Sequence, residues 1–376
     1  MRFIHTADWH LGKKLHEHSL IEDQIYILNE FLKLIDDQKP EAIIIAGDIY
    51  DSGMPPTAAV DLFDEILTKI ILEKKIPVLC IAGNHDNSSR LNFGSKLFES
   101  NRFFLRTKII QDSEPVILSD DFGDIYFSMI PYFYPPKVRE EFNIKNYIDF
   151  DEAAKILVDD SRKKIKPNKR NVAIAHLFIK GGKRSESEIE MVGGIDEINP
   201  EIFINFDYVA LGHLHKPQFK IAEKIRYSGS LLKYSFDEQN HKKGIDIVEM
   251  DGEGNININS ISLTPLHDVK IIDGFLNDIL EKQVKSNDYL LVRLKDENPY
   301  NAGEVLRREK FENLLGVENI SEKEIAESKA LRERENLSDA ELFETFFKDM
   351  TGRRMNEDER SAFMECFNEI KGGEIN

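Results

Sequence analysis

Residues 41–51, with the sequence EAIIIAGDIYD, are the stretch that decides the predicted fold. The apolar run at 42–46 is continuous, which is typical of a strand that is buried on both faces of a parallel sheet. Gly47, Asp48 and Asp51 follow within five residues, and glycine and aspartate both favour turns. The pattern predicts a central strand of an α/β domain, with two carboxylates in the loop at its carboxyl end.

Strand and helix patterns alternate on both sides of this stretch. Strands are predicted at RFIHTA (2–7) and IPVLCIAG (76–83), and amphipathic helices at 20–36 and 58–74. This βαβαβ order predicts a first sheet that is mainly parallel, with right-handed crossovers. Later strands are predicted around 103–110, 115–120, 125–133, 171–176 and 207–215, with a charged helical stretch at 138–165. Four short strands between 218 and 263 predict a second sheet of hairpin type.

The composition limits the class of protein. The chain has 376 residues, 41% of them hydrophobic, which predicts a soluble protein of two or three domains. No apolar run approaches the ~20 residues that span a bilayer, and no signal peptide is evident, so a cytoplasmic location without membrane association is expected. Cys80 lies in an apolar run and is predicted to be a core residue.

The net charge of −18 is unusual for a protein that binds nucleic acid. A polyanionic substrate would need a local positive source. Bound metal ions or a partner protein are candidates, together with Lys13, Lys14 and the basic stretch SRKKIKPNKR at 161–170.

The chain changes character near residue 266. Residues 1–265 form the first predicted domain, and residues 266–320 form a small α/β unit with strands at 269–273 and 289–296 and a helix at 302–315. Residues 321–376 carry two amphipathic helices, with a capping box at Ser338 and Glu341. Their aromatic side chains either pack on the main domain or receive a partner, and the pattern itself leaves both open.

Side chains that can bind metals follow five of the predicted strands. They are Asp8, His10, Asp48, Asp51, Asn84, His85, Asp86, His176, His213 and His215. Because ligands of α/β sheets bind beyond the carboxyl ends of the strands, these side chains are expected to converge. Side chains alternate along an extended chain, so each of the pairs Asp8/His10 and His213/His215 points one way. There are too many donors for one ion, and two ions are predicted.

The donor types narrow the metal and the chemistry. A set without cysteine excludes a structural zinc site, and the many imidazoles argue against Mg²⁺ and Ca²⁺, so Mn²⁺, Fe and Zn²⁺ remain. Two such ions ~3.5–4 Å apart activate a water molecule and clamp a phosphoryl group for in-line attack. The sequence therefore predicts hydrolysis of a phosphate ester.

The motifs DWH (8–10), GDIYD (47–51), GNHD (83–86) and GHLH (212–215), with His176, resemble the calcineurin-like binuclear metallophosphoesterase family. The resemblance covers residues 1–265 strongly and the C-terminal third more loosely. It implies a four-layer αββα sandwich, in which helices flank two sheets and the metals lie at one edge. Residues 1–265 would be the metallophosphoesterase domain.

The resemblance also implies roles for single residues. The first ion would be held by Asp8, His10 and His215, the second by Asn84, His176 and His213, and Asp48 would bridge both. His85 would face the scissile phosphate, where it could protonate the leaving group or stabilise transition-state charge. Asp51 lies where some relatives carry an aspartate that orients this histidine, whereas others have a histidine there.

Stretches such as AGDIYDSGMPP (46–56) and RYSGSLLKYSF (226–236) resemble the family's DNA nucleases. They imply a Mn²⁺-dependent 3′ to 5′ double-strand exonuclease that also opens hairpins as an endonuclease, with residues 266–320 capping the DNA. Residues 321–376 would dock on an SMC-like ATPase, and helices near the active face, including 20–35, would form a homodimer. The protein would act on the nucleoid in DNA repair, recombination and replication.

Two other functions are compatible with the fold. A phosphatase acting on phosphoproteins or small phosphate esters would use the same metals, but its usual motifs are DRG and GNHE, whereas this chain has DSG (51–53) and GNHD. A non-catalytic scaffold would tend to lose ligands, and all seven ligand positions are filled here.

Overall fold

The computed structural model describes residues 1–188, 196–220, 223–281, 286–296, 299 and 301–320, and eleven positions between 343 and 363. Two compact units make up the chain. The first comprises Met1–Ile271, Val284–Leu291 and Lys310–Gly316, and the second comprises Ile272–Gln283, Val292–Glu309 and Val317–Asn376. The boundaries at 265 and 320 stay predictions, and the predicted capping box at Ser338 and Glu341 lies outside the described residues.

The first sheet has six strands, and its core is the predicted βαβαβ unit. Its strand order is Ile256–Ser262, Gly244–Met250, Arg2–Thr6, Ala42–Ala46, Val78–Ile81 and Phe103–Arg106. The last four strands run parallel to one another, as predicted. Their carboxyl ends therefore meet at one edge of the sheet.

The second sheet also has six strands, in the order Gln218–Lys220, Ile225–Tyr227, Tyr208–Gly212, Arg170–His176, Gly123–Ile130 and Val116–Asp120. The strands Tyr208–Gly212 and Arg170–His176 are parallel at its centre. Their carboxyl ends carry the predicted histidines. This sheet and the first one therefore each bring part of the candidate site.

The prediction of a hairpin-type second sheet between 218 and 263 is wrong for its second half. Gly244–Met250 pairs antiparallel with Arg2–Thr6 in the first sheet, and Ile256–Ser262 pairs with Gly244–Met250. The parallel unit leaves one edge of the N-terminal strand without a partner, and the late hairpin covers that edge. Alternation in sequence indicates a strand but does not tell which sheet edge it will join.

Helices cover the outer face of each sheet. Ile21–Gln38 and Thr57–Thr68, the latter continued by a π-turn at Lys69–Glu73, lie on the first sheet, and Pro135–Glu141 and Phe150–Arg162 lie on the second. The helical stretch predicted at 138–165 is thus two helices. The chain breaks at Asn143, which has a φ of 54°, and restarts at Asp149, which forms a capping box with Glu152.

Three layers of buried side chains separate these elements. Ile43 and Ile45 pack toward the helices of the first sheet, while Ile44 points to the opposite face and packs between the sheets with Phe127 and Ile174. The third layer joins the second sheet to its own helices. The architecture is the predicted α/β sandwich of four layers, and the strand 42–46 is buried on both faces as its sequence indicates.

Smaller elements are also present in the described chain. Strands Val269–Gly274, Tyr289–Leu294 and Leu314–Asn319 form a separate sheet, accompanied by helices Leu276–Glu281 and Ala302–Glu309. Short helices at Ser88–Leu91 and Ser95–Phe98 follow the strand Val78–Ile81 along the chain. Cys80 is fully buried, as predicted. Among the described residues, no helix is both long and apolar enough to cross a membrane.

Candidate metal centre

The predicted site residues lie together where the carboxyl ends of the two sheets meet. The first sheet contributes Asp8, His10, Asp48, Asp51, Asn84 and His85, and the second contributes His176, His213 and His215. Backbone hydrogen bonds join the first two loops, from Asp8 N to Gly47 O at 3.1 Å and from His10 N to Asp48 O at 3.0 Å. The loops therefore form one rigid floor for the site.

Four of these residues have a left-handed backbone that side chains rarely adopt. The φ angles are 54° at Asp8, 42° at His10, 49° at Asp48 and 103° at His213. Non-glycine residues in this region are strained and cluster at functional sites. The strain aims each side chain inward from the end of its strand.

Two glycines in the motifs allow the strands to approach closely. A Cβ atom on Gly83 would collide with Oδ1 of Asp48, and one on Gly212 would collide with the carbonyl oxygen of Ala46. These contacts explain why glycine precedes Asn84 and His213 in the GNHD and GHLH motifs.

The Asp48 carboxylate lies at the centre of the cluster. Its Oδ2 is 3.3 Å from Nε2 of His176 and 3.5 Å from Nε2 of His10. Its Oδ1 accepts a hydrogen bond of 2.9 Å from the backbone N–H of His85. One carboxylate oxygen thus faces histidines from both sheets, which is the arrangement a bridging ligand needs.

Asn84, His176 and His213 converge on one side of Asp48. His176 Nδ1 donates to the carbonyl oxygen of Ala46 at 2.8 Å. The other ring nitrogen, Nε2, is then the one that can bind a metal, and it lies 3.0 Å from Oδ1 of Asn84. Nδ1 of His213 also lies 3.0 Å from that Asn84 oxygen. A histidine whose second nitrogen donates to a backbone carbonyl is the usual form of a metal ligand.

His10 and His215 lie together on the other side, whereas the carboxylate of Asp8 lies with that of Asp48 and the ring of His176. Nε2 of His215 lies 3.1 Å from Nε2 of His10, so the two ring nitrogens face each other. Asp8 Oδ1 accepts from the backbone N–H of His213 at 2.9 Å, while its Oδ2 is buried without a hydrogen-bond partner among the described residues. A buried carboxylate oxygen without a partner is costly unless a cation balances it.

The electrostatics of the centre favour the neutral, metal-binding form of three of the four predicted histidine ligands. Burial lowers the pKa of His10 to about 4 and also lowers the pKa values of His213 and His215. Burial also acts to lower the pKa of His176, but Asp48 and Asp8 raise it to about 9. Burial, together with the nearby Asp48, raises the pKa of Asp8 to about 7 against the effect of His176. A metal ligand must be a neutral imidazole or a carboxylate, and a cation would favour that state throughout the centre.

The donor set therefore fits divalent cations. Two groups of three side chains have ligand atoms within 4.8 Å of one another, His10 with Asp51 and His85, and Asp8 with Asp48 and His176. Both groups consist of predicted site residues, but Asp51 and His85 were predicted as catalytic residues rather than as ligands, and Asp8 falls with His176 instead of with His10. The division of the seven predicted ligands between two ions stays a prediction.

Comparison with protein-family models gives the relationship of the chain. Residues 1–217, more than half of its length, match the model of the calcineurin-like phosphoesterases. The chain belongs to the calcineurin-like phosphoesterase family. The match contains every residue of the candidate centre, and it confirms the resemblance carried by the four motifs and His176.

One curated relative spans almost the whole phosphoesterase chain. It is the D subunit of the nuclease SbcCD from Staphylococcus epidermidis, and it is 34% identical over 362 residues, which cover 95% of each protein. Among solved structures, TT1561 of Thermus thermophilus is 12% identical with a TM-score of 0.37, over 69% of this chain and 98% of the other. The similarity to SbcD confirms the likeness seen in the sequence.

Asp51 of this phosphoesterase contacts His85, the histidine that it was predicted to orient, although the orienting role itself stays a prediction. Its backbone carbonyl oxygen, rather than its carboxylate, lies 2.8 Å from Nδ1 of His85. The carboxylate faces Nδ1 of His10 at 3.4 Å and Nζ of Lys13 at 2.8 Å. Burial acts to raise the pKa of Asp51, but His10 and Lys13 lower it to about 2. Asp51 thus contacts His85 through its backbone carbonyl and His10 through its carboxylate.

Asp86, which is among the side chains expected to converge but was given no ligand or catalytic role, supports the phosphoesterase centre through its hydrogen bonds. Its carboxylate accepts backbone hydrogen bonds from Ile49 at 3.1 Å, Tyr50 at 3.0 Å and Gly83 at 2.9 Å. It therefore ties the loop that carries Asp48 to the loop that carries His85. Its place in the GNHD motif was the available signal.

A second group of supporting residues surrounds His215. Ser187 Oγ lies 2.7 Å from Nδ1 of His215 and donates to Glu238 at 2.5 Å, while Glu238 forms an ion pair with Lys243 at 2.5 Å. Lys243 also donates to the backbone carbonyl of His215 at 2.7 Å. Sequence reasoning missed all three, because they lie 23 to 28 residues from His215 along the chain in stretches without a motif.

Proposed function

We propose that this chain is the nuclease component of an SbcCD-type complex and hydrolyses DNA phosphodiesters with two divalent cations. Mn²⁺ is the proposed metal. The proposed activities are 3′ to 5′ double-strand exonuclease and single-strand or hairpin endonuclease, in DNA repair, recombination and replication. The proposed location is the cytoplasm, on the nucleoid. The similarity to the D subunit of nuclease SbcCD supports this assignment over nearly the whole length of both chains.

The position of Asp48 carries the proposal. Its Oδ2 lies within 3.5 Å of ring nitrogens from His10 and His176, which belong to loops of different sheets. A carboxylate between histidines of two different sheets is what a two-metal site requires, because one of its ligands has to bridge the ions. A site for one metal ion has no need of such a bridging carboxylate. Asp8, His10 and His215 would hold one ion, and Asn84, His176 and His213 would hold the other.

The protein's part in hydrolysis is to position groups and to move a proton. Bound cations would supply Lewis acidity and an activated water molecule. Asp48 and the surrounding histidines fix the place of the phosphoryl group. Water attacks phosphorus, and the bond from phosphorus to the leaving oxygen breaks.

His85 is the proposed proton donor to the leaving oxygen. Its Nδ1 donates to the carbonyl oxygen of Asp51 at 2.8 Å, and its backbone N–H donates to Oδ1 of Asp48, so both the ring and the backbone of His85 are held. In the imidazolium form the other ring nitrogen, Nε2, also carries a proton; it gives this proton to the leaving alkoxide, which departs as an alcohol, and the imidazole of His85 is left neutral. Asp51 acts as a positioning residue for His85 and His10.

The acidic surface is compatible with a polyanionic substrate, because the cations of the centre would offset it locally. Of the basic residues singled out in the sequence, Lys13 lies at the centre itself, with its Nζ 2.8 Å from Asp51. Arg170 in the stretch at 161–170 is paired with Asp120 instead. The region around Lys13 is therefore a better candidate for contacts with the substrate than the stretch at 161–170.

The test is incubation of the purified chain with Mn²⁺ and labelled duplex or hairpin DNA, beside an aryl phosphate monoester. Shortening of duplex ends and opening of hairpins are expected, and a chelator should stop both. Turnover of the monoester with intact DNA would contradict the nuclease assignment and favour a phosphatase. Metal-free DNA cleavage would contradict the two-metal centre.

An ATPase of the SbcC type, related to SMC proteins, is the proposed partner of residues 321–376. In the described part of this segment, the rings of Phe343 and Phe363 stack at 4.0 Å with an interplanar angle of 3°, and Phe343 is 36% exposed. Truncation after residue 325 is expected to leave the nuclease activity of the isolated chain and to abolish binding to the ATPase. An unchanged complex on gel filtration would contradict this docking role.

The proposed nuclease is also a homodimer. In the predicted interface helix, 20–35, Ile25 is 43% exposed. Two apolar residues in the segment that follows the GNHD loop are more exposed, Phe93 at 86% and Leu97 at 76%. Large exposed apolar side chains mark interaction surfaces. Light scattering of the isolated chain should therefore give the mass of two chains, and the mass of one chain would contradict the dimer.

A further inference from the structure

A cavity of about 520 Å³ opens directly beside the candidate metal centre. Gly83, Asn84 and Asp86 form the wall that it shares with the centre, and Tyr132, Tyr134 and Lys108 line other walls. Its volume lies within the range of ~300–1,000 Å³ that is typical of small-molecule sites. No step of the proposed hydrolysis uses it.

The wall toward the metal centre is held firmly. The backbone N–H of Tyr132 donates to the carbonyl oxygen of Ala82 at 2.9 Å, which joins the second sheet to the end of a strand of the first. The Tyr132 ring lies nearly parallel to that of His213, with 6.4 Å between centroids and 17° between planes. Tyr132 therefore separates the cavity from the histidines and fixes its distance from them.

The outer wall presents an aromatic ring for stacking. Tyr134 is 50% exposed, and its ring meets the Tyr132 ring edge to face at 5.2 Å. Tyr134 is therefore held in place by Tyr132 while much of its surface stays accessible. Aromatic side chains of this kind stack on nucleobases without sequence preference.

Polar groups around the cavity suit a phosphate and a sugar. Lys108 is exposed and has no ion-pair partner among the described residues, while Lys137 is paired with Glu140 at 2.7 Å. Ser88 and Ser89 add hydroxyl groups, and Glu141 adds a carboxylate that accepts from the backbone of Gln111 at 3.0 Å. Lysine and serine side chains are common phosphate contacts in complexes with nucleic acids.

We infer that this cavity is a nucleotide subsite, which receives the nucleotide next to the scissile phosphate on the Asn84 side of the centre. Its base lies against the Tyr134 ring, and its further phosphate lies near Lys108. The inference rests on the proposed nuclease function and sharpens its substrate class. A base can reach the cavity only outside a stacked duplex, so the preferred substrate is a single-stranded, hairpin or frayed end.

The test compares KM for a single-stranded oligonucleotide with KM for a small phosphodiester, bis(p-nitrophenyl) phosphate, in variants of the full chain. Tyr134→Ala is expected to raise the ratio of KM for the oligonucleotide to KM for the small phosphodiester about tenfold. Stacking contributes ~1–3 kcal/mol per base, and about 1.4 kcal/mol corresponds to a factor of ten. Tyr134→Phe keeps the ring and should restore the ratio to within about twofold of wild type. Lys108→Ala should raise the ratio and weaken its dependence on salt.

Tyr147→Ala is the matched control, since Tyr147 is 81% exposed and does not line the cavity. A wild-type ratio in Tyr134→Ala would overturn the subsite, and so would an equal rise of both KM values, which would indicate a general disturbance of the centre. If the wild-type chain leaves the oligonucleotide intact but cleaves the small ester, the nuclease function itself fails. That result is distinct from failure of the subsite alone.

Discussion

Asp48→Asn is expected to lower kcat/KM for DNA cleavage by about 10³-fold or more, because the variant removes the charge shared by both halves of the centre. The amide keeps the size of the side chain and can still accept the hydrogen bond from the His85 N–H. It cannot offer two anionic oxygens to two cations. The measurement is steady-state cleavage of labelled duplex DNA in Mn²⁺, with metal content determined for the same sample.

A buried aspartate elsewhere provides the control for Asp48. Asp246, in the first sheet, is 2% exposed and is paired with Arg226 at 2.5 Å, away from the candidate ligands. Asp246→Asn should lower the free energy of unfolding because it weakens a buried ion pair. The variant protein should nevertheless bind metal as wild type does and keep most of its nuclease activity. If Asp48→Asn cleaves DNA as fast as Asp246→Asn does, Asp48 has no bridging role.

His85→Gln is expected to lower kcat by about 10²- to 10⁴-fold, the usual contribution of general acid catalysis, while the metal content stays that of wild type. The separation of the two effects follows from the structure, since His85 is held by Asp51 and Asp48 through hydrogen bonds and is outside the seven predicted ligands. Activity and bound metal are measured on one preparation.

His18→Gln is the matched substitution for His85, because the His18 ring contacts Tyr289, through Nε2 at 3.1 Å and by ring packing, outside the centre. It should retain wild-type kcat. A His85→Gln variant that cleaves at the wild-type rate would remove His85 from the mechanism. Loss of metal together with activity would instead identify His85 as a ligand, as its grouping with His10 and Asp51 allows.

The sequence contains most of the information that places the candidate site, since the site is built at strand ends. Ile43, Ile44 and Ile45 form an apolar run that is typical of a strand buried on both faces, and Asp48 follows it closely. Parallel pairing then brings the ends of neighbouring strands together. Local pattern and topology therefore suffice to bring Asp8, Asp48 and His85 together.

Contacts that depend on distant segments could not be predicted in this way. Glu238 supports His215 from a 3₁₀ turn at Phe236–Asn240, and its burial follows from the packing of that turn rather than from any periodic pattern. The same holds for Gly244–Met250, which joins the first sheet because the edge of Arg2–Thr6 is open. The backbone carbonyl of Asp51 is a further case, since a motif identifies side chains and not the atoms that make contact.

The most direct measurement of the central claim is the number of Mn²⁺ ions bound per chain at saturation, by titration calorimetry with elemental analysis of the gel-filtered complex. The seven converging ligands and the position of Asp48 predict two ions per chain in the wild type, with the affinity of both reduced in Asp48→Asn. One ion per chain, or none, would contradict the two-metal centre.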